Sequence, residues 1–85
     1  MTKNELLKKI KNKETIYSIE YGEVYEIDLG SKEHEYQVKY NDHYDCDMLY
    51  ETDTGKDTYD IFNLCNLYDS EEQAYYMLDE IYGED

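Results

Sequence analysis

Between Thr15 and Tyr50 the chain alternates between apolar and polar residues with a period of two. One set contains Tyr17, Ile19 and Tyr21, then Tyr25, Ile27 and Leu29, then Tyr36, Val38 and Tyr40, and finally Tyr44, Cys46, Met48 and Tyr50. The other contains Ser18, Glu20, Glu26, Asp28, Glu35, Gln37, Lys39, Asp45 and Asp47. Successive strand side chains point to opposite faces, so the pattern predicts an antiparallel sheet with one aromatic and one acidic face. Strands are expected over 15–21, 23–29, 34–40 and 44–50. Gly22, Gly30-Ser31-Lys32 and Asn41-Asp42-His43 mark the turns, and residues 51–56 read as a loop.

Helical signals flank this region. Thr2-Lys3-Asn4-Glu5 matches a capping box, and Leu6, Leu7 and Ile10 form an apolar stripe, predicting a helix over 3–12 whose stripe covers the tyrosine face. Lys9, Lys11 and Lys13 suit the negative end of its dipole. Near the other end, Asp69 or Ser70 caps a helix with Glu71 and Glu72 in its first turn. Ala74, Met77, Leu78 and Ile81 form its buried stripe, and Gly83 closes it. The segment Thr58–Tyr68 fits two readings. Ile61, Leu64, Cys65 and Tyr68 recur at helical spacing, which favours a helix, whereas Tyr59-Asp60-Ile61 also fits a short strand. The expected fold is α+β, in one domain over 1–85: an N-terminal helix, a three- to four-stranded antiparallel sheet, and one or two C-terminal helices packed on one face.

Charge changes the picture from fold to function. The chain carries 22 acids against 8 lysines, a net charge of −14. Residues 1–13 hold five lysines against Glu5, a local +4, so the remaining 72 residues carry −18. Such a body repels itself, and binding a positively charged partner relieves that repulsion. Nucleic acid and anionic membrane are disfavoured for the same reason, and no apolar run approaches the ~18 residues of a membrane span. Cys46 and Cys65, without a CxxC motif or a signal peptide, read as reduced, half-buried thiols of a cytoplasmic protein.

No catalytic constellation is legible. His34 and His43 fall at turns without a serine or cysteine nucleophile at recognisable spacing, which argues against an enzyme. The Glu51 to Asp60 loop lacks the DxDxDG core of a calcium site and has Phe62 where the closing glutamate belongs. Asp42, His43, Asp45, Cys46 and Asp47 are rich in ligand atoms. Alternation nevertheless puts Cys46 opposite both neighbouring aspartates, so no metal or cofactor is expected.

The acids fall into three groups of seven, over 14–40, 41–60 and 69–85. A globule of this size is ~30 Å across, and duplex DNA of that length carries roughly eighteen phosphates, matching the −18 of the body. The candidate partner-binding residues are Asp45, Asp47, Glu51, Asp53, Asp57 and Asp60, with Tyr50 and Tyr59 as anchors beside the charge.

The opening Asn4-Glu5-Leu6-Leu7-Lys8-Lys9-Ile10-Lys11-Asn12-Lys13-Glu14 resembles the start of a family of small phage anti-CRISPR proteins that inhibit the type II CRISPR effector nuclease. That family is similar in length, in acidity and in its order of helix, three strands and two helices. The resemblance implies a mechanism, in which acidic loops occupy the cleft that reads the short DNA motif flanking the target, and assigns no individual residue. The expected function is therefore a non-enzymatic DNA mimic, monomeric or homodimeric, that fills the basic cleft of a nucleic-acid-binding protein, with the CRISPR effector nuclease favoured. If phage-encoded, it would work in the host cytoplasm. The alternatives are a small acidic interaction or structural module, a nuclease-toxin immunity protein, and a metal-responsive protein using Asp45, Cys46 and Asp47.

Overall fold

Thr2 opens helix α1 (Lys3–Lys11) as the capping box predicts: its side chain accepts from the Glu5 N–H and the Glu5 carboxylate accepts from the Thr2 N–H. This is seen in a computed structural model of the chain, which describes residues 1–55 and 59–83. The helix ends in a Schellman motif, with Lys13 N–H bonded to Ile10 C=O, Glu14 N–H to Lys9 C=O, and Lys13 at φ 54°.

Strands β1 (Thr15–Glu20) and β2 (Glu23–Asp28) form an antiparallel hairpin that pairs Glu20 with Glu23 across Tyr21-Gly22. β3 (His34–Asn41) and β4 (Cys46–Asp53) form a second hairpin, whose turn is tied by the Asn41 side chain accepting from the N–H groups of His43 and Tyr44. β4 runs on through Glu51, Thr52 and Asp53, residues expected in a loop. β5 (Tyr59–Asn63), a 3-10 helix over Leu64–Asn66, and the two-residue β6 (Leu67–Tyr68) occupy the segment whose spacing favours a helix. Tertiary pairing decides it: β5 completes β4's hydrogen bonds from Met48↔Asn63 to Thr52↔Tyr59, and β6 pairs with β1. Helix α2 (Glu71–Tyr82) follows, capped by Ser70 accepting from the Gln73 N–H.

The fold is α+β, and its strands divide into two three-stranded antiparallel sheets, ordered β2-β1-β6 and β3-β4-β5. Their facing sides and α1 enclose one core of Leu6, Ile16, Ile27, Leu29, Leu49, Leu64 and Leu67, with Ile10, Tyr36, Val38 and Phe62 packed against it. α2 lies on the other side of the first sheet, where Tyr75 and Leu78 meet Val24. β1 is thus covered on both faces, with Ile16 and Ser18 towards the core and Ile19 towards α2. A single aromatic face over both hairpins does not form. Register places Tyr36 and Val38 opposite Glu51 and Leu49, on the inner side of the second sheet. Met48 and Tyr50 pair instead with Lys39 and Gln37 on its outer side. Cys46 and Cys65 are free, the first half-buried and the second exposed. No helix among the described residues is long and apolar enough to cross a membrane.

Candidate partner-binding surface

The two sheets diverge at one edge and leave a cleft of about 350 Å³. The first sheet lines it with Glu20, Tyr21, Tyr25 and Ile27, the second with Glu51, Asp60 and Phe62. The placement follows from register. Ile16 and Ile27 are paired, so Glu20 and Tyr25 lie further along that same face, and Glu51 is paired with Asp60 beside the Leu49–Phe62 pair.

Two of the cleft's carboxylates, Glu20 and Glu51, and two beyond it, Glu23 and Asp45, are held by hydroxyls. Ser18, fully buried, donates to Glu20 at 3.1 Å, and Tyr36 donates to Glu51 at 2.9 Å. Tyr25 donates to Glu23 at 3.0 Å, and Tyr40 donates to Asp45 in the second hairpin turn. These bonds orient the carboxylates without cancelling their charge, because the donors are neutral. The phenols respond in turn. Burial, then the Glu51 hydrogen bond and charge, hold the Tyr36 hydroxyl well above the usual phenol range. Tyr25 is raised chiefly by its bond to Glu23, and Tyr40 by its bond to Asp45.

Among the described residues the paired cations sit elsewhere. Lys9 pairs with Glu14 at 3.3 Å and Asp69 at 3.4 Å, and His34 Nε2 lies 2.9 Å from the Asp53 carboxylate. Partial burial opposes the charge on Lys9, and the bonds to Glu14 and Asp69 outweigh it and raise its pKa. Lys39 lies 5.4 Å over the Tyr50 ring on the outer side of the second sheet.

The structure splits the residues that sequence spacing groups together. Glu51 and Asp60 are joined in the cleft, and Asp47 and Asp53 follow on the same side of β4. Asp45 is exposed in the hairpin turn at φ 53°. Tyr50 and Tyr59 face away from these carboxylates. They form their own pair on the outer side, ring centroids 5.6 Å apart, so they cannot flank the charge as expected. Asp57 lies outside the described residues. Sequence spacing missed Glu20, Tyr21 and Tyr25 as neighbours of Glu51 and Asp60; no local signal joins residues of two hairpins. Among the described residues no three His, Cys, Asp or Glu side chains gather closely enough to hold a metal ion. No family model, curated protein or solved structure matches the chain.

Proposed function

We propose that this protein is a non-enzymatic inhibitor that occupies a basic, nucleic-acid-binding surface of another protein, acting in the cytoplasm as a mimic of the polyanion. One observation supports this above the others: Glu20, Glu23, Asp45 and Glu51 are oriented by Ser and Tyr hydroxyls rather than by lysines, so their charge is preorganised and left uncancelled. Merely soluble surfaces intersperse both signs. Here five of the eight lysines are gathered in residues 1–13, and the chain extends 45 Å along its longest axis. Spread over that length, the net charge of −14 is about one charge per 3.2 Å, close to one strand of DNA at ~3.4 Å and sparser than the duplex at ~1.7 Å.

The favoured target is a CRISPR effector nuclease, in keeping with the resemblance at Asn4–Glu14. The test is direct competition: purified effector, its DNA target and increasing amounts of this protein, with DNA binding read at several salt concentrations. The reading requires stoichiometric loss of DNA binding that weakens steeply with salt. Inhibition indifferent to salt, or undiminished DNA binding by the effector and by nuclease toxins alike, would overturn it and leave the acidic interaction module.

A further inference from the structure

We infer that the Tyr21-Gly22 turn is an aromatic anchor that seats an arginine-bearing segment of the partner protein, an inference that rests on the acidic-surface reading above. Glu20 and Glu23 close a two-residue hairpin turn, and both loop residues have positive φ, 52° at Tyr21 and 75° at Gly22. A turn of this kind takes Asn-Gly or Gly-Gly. Gly22 satisfies it, while a bulky residue with a Cβ is strained at Tyr21. Among the described residues no packing contact compensates, because Tyr21 is 95% exposed. A strained, exposed ring that lies among other exposed rings, Tyr25, Tyr75 and Tyr82, marks a candidate contact with another molecule.

The surroundings say which. On one side of the turn lies the inter-sheet cleft with Glu20 and Tyr25. On the other, Gly22 opens a shallow groove of about 360 Å³ against α2, lined by Tyr75, Leu78, Asp79 and Tyr82. The rings of Tyr75 and Tyr82 are more than half exposed. Flat aromatic faces alternating with carboxylates are the complement of guanidinium, which stacks on rings and forks onto carboxylates; lysine, a compact and strongly hydrated charge, uses only the second contact. The same carboxylates repel a phosphate backbone or an anionic lipid surface, so the occupant is a basic protein segment.

The test compares nona-arginine and nona-lysine peptides, titrated calorimetrically into the full chain and into Tyr21→Asn at one fixed ionic strength, with thermal midpoints of both proteins. Asn suits the turn, so the variant folds with a midpoint raised by about 4–8 °C. Its affinity for the arginine peptide falls about tenfold, the scale of losing one anchor, while lysine-peptide binding changes less than twofold. Unchanged arginine-peptide affinity, no preference for arginine in the wild type, or a lowered midpoint would overturn the anchor. If both peptides still bind in a salt-dependent way, the acidic-surface reading survives that failure. If the wild type binds neither, both fall.

Discussion

The Tyr36 hydroxyl donates a 2.9 Å hydrogen bond to Glu51, the residue directly opposite it in the β3–β4 ladder. The pair links the core to the cleft, because the Tyr36 ring packs against the Leu49 cluster while the Glu51 carboxylate lines the space between the sheets. Tyr36→Phe keeps the ring and removes the donor. A bond to a charged acceptor contributes about 1.5 kcal/mol at a half-buried site, so the urea midpoint falls correspondingly while far-ultraviolet circular dichroism stays native.

The same phenol is one of four groups whose raised pKa ties stability to alkaline pH. Tyr36, Tyr25 and Tyr40 all have folded pKa values above the ordinary value near 10, and Lys9 is raised above its own of 10.5. The folded state holds these protons more tightly than the unfolded chain does. Their contribution is fully present below pH ~10 and is lost as pH rises through the folded values. Thermal midpoints measured from pH 8 upward are expected to be level and then to fall above about pH 10. Tyr36→Phe makes that fall shallower, and an unchanged slope would contradict the assignment.

Salt acts on the fold in the opposite sense to its action on binding. With −14 net charge and the lysine ion pairs among the described residues centred on Lys9, repulsion dominates the surface, and salt screens it. The thermal midpoint is expected to rise by about 3–6 °C between low and physiological ionic strength. A fold held mainly by surface ion pairs would show a decrease.

Lys13 occupies the left-handed position of the α1 Schellman motif, where glycine is the usual residue. Lys13→Gly is expected to be more stable than Lys13→Ala by about 1 kcal/mol, read by urea unfolding. The alanine variant controls for the lost charge at the helix end.

Leu49 is fully buried where β4 meets both the core and β5. Leu49→Ala is expected to cost about 2–5 kcal/mol, against a total of roughly 4–13 kcal/mol for a domain of this size. Thermal scanning should show a broad, low transition.

Much of this architecture was legible residue by residue. Thr2 with Glu5, and Ser70 with Glu71 and Glu72, specify their helices because a cap is satisfied by neighbours within one turn. Both hairpins follow from alternation and their turn residues, and the segregation of lysine from carboxylate is visible in the order of the residues alone. What the order of residues left open was everything that depends on a partner strand. The period-two pattern separates the two faces of a strand but does not say which is inward. The parity is therefore inverted across both hairpin turns: Ile27 shares its face with Ile16 rather than Ile19, and Tyr50 turns outward while Glu51 turns inward, since one residue of register exchanges the faces. Residues 59–68 carry a helical spacing that unpaired hydrogen-bonding groups on β4 and β1 override. The cleft itself, Glu20 and Tyr25 across from Glu51 and Asp60, exists only because two separately closed hairpins pack around one core, a contact between distant residues that no local pattern encodes.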